Sequence, residues 1–233
     1  MEAWDAARWN AYFAPGGGWE QNAGRRQTRI FAECFCRRVA FDRTSPFSLL
    51  DFGCALGDGL QVFQRRYPQA VLTGMDFAEA AIRRCQAELD DIARFLVGGV
   101  ADVTDRYDVV YASNVLEHFP DYRSPARRLL AHCGRLCLMV PYDERDQGNL
   151  LTPDPNRHHQ HTFLRDSFDF LREEGLVQSV STHLVVCPGA WGRWNLRRSL
   201  FRPLTNRLRH LLGKPPRERA RQIIYDIVAV TAE

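Results

Sequence analysis

Short apolar runs alternate with amphipathic stretches along the middle of the chain. The runs rich in Leu, Val and Phe suit buried strands, whereas the stretches between them repeat apolar residues every three to four positions, as helices do. The predicted strands span residues 48–53, 70–76, 94–100, 107–113 and 135–140, and the predicted helices span 57–66, 78–89 and 124–132. This order indicates an α/β fold in which helices cover both faces of a parallel sheet.

The pattern changes on both sides of this region. Residues 1–45 are rich in aromatic side chains and are predicted to form a helical N-terminal extension. Residues 143–165 contain Pro and His and exceed the length of an ordinary connection, so we predict a lid loop there. A helix at 166–174 and strands at 177–186 and 222–230 complete the predicted domain, which spans 46–233 and carries a basic helical insertion at 187–221.

The net charge of +3 conceals an uneven distribution. Residues 193–221 hold ten basic side chains and one acidic one, a local charge of +9, so the rest of the chain carries −6. Between 191 and 212, apolar residues recur at three- and four-residue steps with arginines between them, which predicts a basic amphipathic helix. Three interpretations stay open: an insertion that packs on the core, a platform for an anionic acceptor, and a surface that contacts anionic membrane. Nucleic acid is not favoured as a partner, because no known base-reading motif accompanies the arginines.

Composition narrows the class of protein. No apolar run in the 233-residue chain approaches the length of about 20 residues that a bilayer span needs. The seven cysteines are scattered and lack the spacing of a zinc site. No apolar segment of signal-peptide type opens the sequence. We therefore expect a soluble, cytoplasmic protein.

Small residues follow the first predicted strand, in the run DFGCALGDG at 51–59. Gly53, Ala55 and Gly57 allow the backbone to turn sharply and to approach a ligand closely, while the next helix offers free N–H groups. Asp76 ends the second predicted strand, where a carboxylate can accept both hydroxyls of a ribose, and Asp102 follows the third. Because the carboxyl ends of parallel strands meet at one edge, these loops predict a nucleoside-shaped site.

Four runs together carry a family resemblance: DFGCALGDG at 51–59, GMDFAEAAI at 74–82, GGVAD at 98–102 and YDVVYASNVLEHFPD at 107–121. With them the chain resembles class I S-adenosylmethionine-dependent methyltransferases, in the broad small-molecule group that includes quinone-biosynthesis enzymes. The resemblance implies a Rossmann-like, seven-stranded, mostly parallel sheet with an antiparallel last strand, and S-adenosyl-L-methionine as the cofactor. Ala55 departs from the family pattern, which usually has a glycine there. The spacing also differs from the GxGxxG fingerprint of dinucleotide-binding oxidoreductases.

The resemblance implies a role for each cofactor-binding position. The turn at 53–57 would face the methionine portion of the cofactor, Asp76 would bind the ribose and Phe77 would cover the adenine. Asp102 would accept from the adenine amine, and the end of the fourth strand would approach the sulfonium. The full set is Asp51, Gly53, Ala55, Gly57, Asp76, Phe77, Asp102, Val103, Ser113 and Asn114.

Histidines are the predicted catalytic residues, because an acceptor hydroxyl must lose a proton and imidazole accepts one near neutral pH. His118 follows the fourth strand, and His159 and His161 lie in the predicted lid, where the family commonly has a histidine that faces the site. A bracing role for His118 and Glu117 in the next helix stays open. A metal site formed by the lid histidines with nearby carboxylates, from Asp143, Glu144 or Asp154, is a further alternative, but we assign no residue to a metal.

The sequence thus predicts an enzyme that transfers a methyl group from S-adenosyl-L-methionine to a small-molecule acceptor, anionic or neutral, at oxygen. Two alternatives remain: an RNA or protein methyltransferase that uses the basic insertion, and a non-catalytic S-adenosylmethionine-binding protein. Aromatic residues of the N-terminal extension either roof this site or pack against the sheet. They are Trp4, Trp9, Tyr12, Phe13 and Trp19.

Overall fold

Seven strands lie side by side in one mixed sheet, as the sequence predicts. The structure, a computed structural model, describes residues 6–143, 145–146, 149–150, 159–187, 207 and 221–230. The sheet contains β1 Ser48–Phe52, β2 Val71–Asp76, β3 Arg94–Val97, β4 Tyr107–Ser113, β5 Cys133–Pro141, β8 Val177–Val185 and β9 Gln222–Ala229. Two short strands between them, β6 Arg145–Asp146 and β7 Asn149–Leu150, form a separate antiparallel hairpin within the predicted lid.

The strand order is β3-β2-β1-β4-β5-β9-β8. The first five strands are parallel, and β9 runs antiparallel to both of its neighbours, β5 and β8. From β1 the chain adds β2 and β3 on one side and then β4 and β5 on the other, so the strand order reverses between β1 and β4. In open α/β sheets a crevice for ligands forms outside the carboxyl ends of the strands at such a reversal point.

Helices cover both faces of the sheet, because alternate strand residues point to opposite sides. Leu49 and Tyr111 face one side and pack with α3, α4 and α5, whereas Leu50 and Val110 face the other side and pack with α6. The helices in the described part of the chain are α1 Ala6–Phe13, α2 Gly18–Gln21, α3 Gly24–Cys36, α4 Asp58–Arg66, α5 Glu79–Leu89, α6 Arg123–Ala131 and α7 Phe170–Glu173. The predicted helical extension therefore consists of α1, α2 and α3 where it is described.

Several predicted elements have different lengths in the structure; β5, for example, extends beyond the predicted 135–140 at both ends. The third strand ends at Val97 rather than at residue 100, because Gly98 and Gly99 lead into a 3-10 turn, Val100–Asp102. The helix predicted at 166–174 begins at Phe170, and residues 165–169 form turns before it. Most of the basic insertion, 188–206 and 208–220, lies outside the described residues. In the described part of the chain, no helix is long and apolar enough to cross a bilayer.

Candidate active site

The Gly-rich turn after β1 has a left-handed backbone at three alternate positions. Gly53, Ala55 and Gly57 have φ values of 79°, 50° and 72°. Two backbone bonds hold the turn to β2, since Gly53 N and Cys54 N both donate to the Met75 carbonyl, at 2.8 and 3.1 Å. Glycine adopts such φ values without strain, and Ala55 adopts one despite its Cβ. The sharp turn that the sequence predicts is therefore present with an alanine in its middle.

Asp76, the last residue of β2, connects two backbone segments through its carboxylate. Oδ2 accepts from Ala55 N at 3.0 Å, and Oδ1 accepts from Ala78 N at 2.9 Å. The side chain is buried and lines a cavity at the carboxyl edge of the sheet. Each carboxylate oxygen has a second lone pair, so Asp76 can still accept hydroxyl protons from a ligand.

The cavity has a volume of about 510 Å³ and spans the reversal point of the sheet. Its wall combines the ends of β1, β2 and β4, the glycines after β3, the turn after β4, helices α1 to α3, and His159 of the predicted lid. Seven of the ten predicted cofactor-binding residues line it: Asp51, Gly53, Ala55, Asp76, Phe77, Ser113 and Asn114. A cavity of this size suits a nucleoside-type cofactor with a small second ligand.

The other three predicted cofactor-binding residues lie outside the wall. Gly57 packs inward, where an added Cβ would lie 2.7 Å from Leu89 Cδ1. Val103 is buried in the core on the α6 side of the sheet. Asp102 is exposed, and its Oδ2 accepts from Gly99 N at 2.8 Å, closing the 3-10 turn. In the structure, Gly98, Gly99 and Val100 line the cavity at this point instead.

Two buried carboxyl groups on the cavity wall have raised pKa values. Burial, together with the nearby Asp76 carboxylate, raises the pKa of Asp51 to about 7. Burial also raises the pKa of Asp76 to about 6, against the effect of its two backbone N–H bonds. Near neutral pH Asp76 is therefore mostly ionised and Asp51 about half ionised, so the wall carries negative charge. Such a wall favours a cationic ligand.

The end of β4 turns away from the sheet at Asn114, which has a φ of 55°. Asn114 N donates to the Met139 carbonyl at 2.8 Å, and its amide donates to Ser113 Oγ at 3.1 Å. Phe77, after β2, is 45% exposed and contacts the Trp9 ring at a centroid distance of 6.2 Å. Both features place polar or aromatic side chains beside the cavity.

Two of the three predicted catalytic histidines meet at one end of the cavity. His118 lies in the 3-10 turn after β4, and its ring centroid is 5.2 Å from that of His159. Both residues line the cavity, and the Trp9 ring contacts His118 from α1. Glu117, which is fully buried, has a carboxylate oxygen 4.0 Å from His159 Nε2.

The third histidine, His161, points away from this group. Its Nε2 lies 2.9 Å from the Pro120 carbonyl, and its ring contacts Tyr122 at a centroid distance of 5.0 Å. His161 is not among the cavity-lining residues in the described part of the chain. His158 and two of the carboxylates considered for a metal, Glu144 and Asp154, lie outside the described residues.

Ligand-type atoms of Glu117, His118 and His159 lie within 4.8 Å of one another. This grouping differs from the metal alternative considered for the sequence, because two of its members come from the turn after β4 and one from the lid. Sequence reasoning treats Glu117 only as a brace for the next helix. Its complete burial beside two imidazoles gives it a different environment.

Several cavity residues escape sequence reasoning altogether. Helix α3 contributes Gln27, Thr28 and Phe31, and β4 contributes Tyr111. Thr28 and Phe31 are three positions apart on one helix face, and Tyr111 precedes Ser113 by the two residues that separate side chains on one face of a strand. Those periods are the signals that would have found them.

The N-terminal aromatic residues line the cavity, and some of them pack against the Gly-rich turn. Trp9, Tyr12, Phe13 and Trp19 line the cavity. Phe13 also packs against Ala55 and Leu56 of the Gly-rich turn, with Trp9 and Trp19 beside it. Trp4 lies outside the described residues.

Comparisons with known proteins agree with this geometry. A profile of a family described as a methyltransferase domain matches residues 23–180, more than half of the chain. Among curated proteins, trans-aconitate 2-methyltransferase of Deinococcus radiodurans is 28% identical over 112 residues, which are 46% of this chain and 43% of that protein. The enzyme of the same name from Methylobacterium radiotolerans is 30% identical over 119 residues, 49% of this chain and 45% of that protein. The chain thus matches less than half the length of these relatives.

Solved structures share the fold. The putative methyltransferase in a complex with the Haloferax volcanii Trm112 activator superposes with a TM-score of 0.66 at 13% identity, covering 96% of this chain and 98% of that one. The plantazolicin methyltransferase BpumL in complex with SAH gives a TM-score of 0.54 at 17% identity, covering 91% and 86%. At these identities the likeness establishes the fold.

Proposed function

The chain belongs to the methyltransferase-domain family, and from this premise we propose that it is an S-adenosylmethionine-dependent enzyme that methylates an oxygen atom of a small-molecule acceptor. The single observation that carries the proposal is the cavity. It joins the Gly-rich turn and Asp76, on the side predicted for the cofactor, to His118 and His159 at one end. The family's cofactor-binding positions and two proton-accepting side chains thus border one space.

The charge of the wall supports this cofactor over a dinucleotide. Among the described residues that line the cavity, Asp51 and Asp76 are the acidic ones, and none is Lys or Arg. S-adenosylmethionine carries a sulfonium and an ammonium group, which two buried carboxylates attract. The pyrophosphate of a dinucleotide would meet negative charge instead. The charge of the cavity wall therefore favours the same ligand as the shape of the cavity.

The reaction is a direct displacement in one step. A lone pair of the acceptor oxygen forms the new O–CH3 bond while the C–S bond breaks and its electron pair stays on sulfur. The sulfonium becomes a neutral thioether, and the acceptor proton passes to a histidine and then to solvent. Alignment of the oxygen, methyl carbon and sulfur, and exclusion of water by the aromatic wall, supply most of the acceleration.

The relatives named for trans-aconitate suggest one acceptor, but the described wall favours another. Trans-aconitate is a tricarboxylate, and the cationic side chains that would bind it do not occur among the described lining residues. Aromatic residues of α1 and α2 and Phe119 instead offer apolar surface. We therefore favour a neutral hydroxyl compound, and place carboxylates second.

Two measurements test the proposal. Calorimetry with S-adenosylhomocysteine is expected to show one site per chain. Incubation with radiolabelled S-adenosylmethionine and separate pools of neutral hydroxyl compounds, amines and polycarboxylates, including trans-aconitate, is expected to label a hydroxyl compound. Binding without transfer to any pool would favour a non-catalytic binding protein, and the absence of binding would refute the proposal.

The affinity for S-adenosylmethionine is expected to fall on acidification. Folding raises the pKa values of Asp51 and Asp76 to about 7 and about 6, so the folded apo protein holds their protons more tightly than the unfolded chain does. These groups therefore contribute stability at low pH, and this stability is lost as the pH rises through the two values. A cationic cofactor binds the charged forms of these carboxyl groups, so its affinity rises as the pH rises. Each pH unit below a pKa costs about tenfold in affinity per group. Calorimetry between about pH 8 and about pH 5.5 measures the effect, and an Asp51→Asn variant is expected to lose the part centred near 7.

The three predicted catalytic histidines are expected to differ when each is replaced by Asn. His159→Asn should lower kcat about a hundredfold, the size of a general-base contribution. His161→Asn should lower the melting temperature and leave kcat nearly unchanged, because His161 is not among the described residues that line the cavity and its Nε2 lies 2.9 Å from the Pro120 carbonyl. His118→Asn should produce an intermediate loss through the packing of His159. Equal turnover by the wild-type protein and the His159 variant would remove His159 as the base.

A further inference from the structure

We propose that Glu117 positions His159 as the proton acceptor, so that the two residues act as a carboxylate–imidazole dyad. Such positioning matters only if the chain transfers methyl groups to oxygen, as proposed above. Glu117 does not line the cavity, whereas His159 does. Glu117 is therefore a positioning residue, and it would act on the reaction through His159.

Glu117 and His159 are both buried. Glu117 is 0% exposed and His159 is 8% exposed. Removing a carboxylate from water is costly unless a partner compensates its charge. The Glu117 carboxylate lies 4.0 Å from His159 Nε2. A protonated imidazole at that position would gain the attraction of a buried negative charge.

Hydrogen bonds between the lid and the turn after β4 hold the two side chains together. Gln160 N donates to the Glu117 carbonyl at 2.6 Å, and its side-chain amide donates to the His118 carbonyl at 2.8 Å. His161 adds the contact to Pro120 at 2.9 Å. The two residues that follow His159 thus contact the segment that carries Glu117. Closing the 4.0 Å gap to a hydrogen bond requires a shift of about 1 Å, which is ordinary for a catalytic pair before its ligands bind.

The contact between Glu117 and Nε2 determines which ring nitrogen of His159 can accept a proton. A carboxylate next to Nε2 favours the tautomer with hydrogen on Nε2, which leaves the lone pair on Nδ1. Nδ1 then takes the acceptor proton as the O–CH3 bond forms, and the resulting imidazolium is stabilised by Glu117. His118, from the same turn as Glu117, also lies beside the ring, at a centroid distance of 5.2 Å. Two adjacent imidazoles disfavour double protonation, so Glu117 would direct the charge to His159.

Nitrogen-15 NMR of labelled histidine, with S-adenosylhomocysteine bound, tests the dyad without an acceptor. The His159 signals are assigned by their loss in His159→Asn. In the wild-type protein we expect the Nε2-protonated tautomer. In Glu117→Gln we expect the midpoint of His159 protonation to fall by about one pH unit. Turnover of the acceptor found in the labelling screen should fall about 10- to 100-fold, with an unchanged KM, and Glu117→Asp should restore part of it.

Glu79→Gln provides the matched control, because Glu79 is an exposed carboxylate paired with Arg83 on α5. It is expected to leave the His159 signals and turnover unchanged. A His159 midpoint that is the same in wild-type protein and Glu117→Gln would overturn the dyad, as would the Nδ1-protonated tautomer in the wild type. If Glu117→Gln does not fold, the wild-type tautomer and Glu117→Asp still decide.

Elemental analysis of the purified protein separates the dyad from a metal site. Stoichiometric zinc or manganese, lost in Glu117→Gln and needed for turnover, would show that the cluster binds an ion and would overturn the dyad. Turnover that survives dialysis against EDTA supports it. Failure of the proposed function is a distinct result, since in that case wild-type protein methylates no acceptor whatever the state of His159.

Discussion

Gly53→Ala is expected to abolish measurable binding of S-adenosylhomocysteine, a loss of more than about a hundredfold in affinity. Gly53 has a φ of 79°, and a Cβ built on it would lie 2.3 Å from Val115 Cγ2. Real Cβ atoms do not approach another atom so closely, so the turn after β1 or the turn after β4 must move. Both turns border the cavity, and a shift of either one changes its shape.

Gly175→Ala separates backbone strain from the steric clash. Gly175 has a φ of 71°, close to that of Gly53, but an added Cβ there would meet nothing within 4 Å. The free energy of unfolding should fall by roughly 1 kcal/mol or more in both variants, because alanine is strained in the left-handed backbone conformation. Only the Gly53 variant should lose affinity, as calorimetry and thermal unfolding can establish together. Comparable affinity losses in both would show that general destabilisation, rather than cavity shape, limits binding.

The sheet could be predicted from the sequence because its signals are local and repeated. Residues 107–113 form a short, mostly apolar run of the kind that suits a buried strand, and β4 has the predicted bounds, Tyr107–Ser113. The third strand was predicted too long, because Asp102 folds back onto Gly99 N and ends the extended conformation. A side chain that bonds to its own backbone competes with a strand, and apolar patterning does not reveal it.

The site was less accessible to sequence reasoning, because side-chain direction in loops is decided by tertiary contacts. The sequence predicted both His159 and His161 of the lid as catalytic residues. In the structure, His159 faces the cavity, whereas His161 bonds to Pro120, a residue 41 positions away. Glu117 offered no signal of its importance, since only the packing of the lid onto the turn after β4 buries it.

Asp76→Asn is expected to reduce affinity for S-adenosylhomocysteine about a hundredfold or more, because the variant loses two functions at once. The carboxylate accepts from Ala55 N and Ala78 N, one through each oxygen. An amide keeps one acceptor oxygen, so its NH2 group would face one of these N–H donors. The variant would weaken the side-chain contact between Asp76 and the Gly-rich turn, which the two backbone bonds to the Met75 carbonyl do not replace, and the ribose would lose an acceptor.

Asp108→Asn is the matched control for the backbone contacts. Asp108 Oδ2 accepts from Ser48 N at 2.7 Å and from Ser48 Oγ at 2.8 Å, at the opposite edge of the sheet. Its replacement should lower thermal stability and leave affinity intact. Asp102→Asn should weaken binding less than Asp76→Asn, because Asp102 does not belong to the described cavity wall and its carboxylate accepts from Gly99 N. Equal losses for Asp102 and Asp76 would show that Asp102 turns toward the adenine when the cofactor binds, as the family resemblance implies.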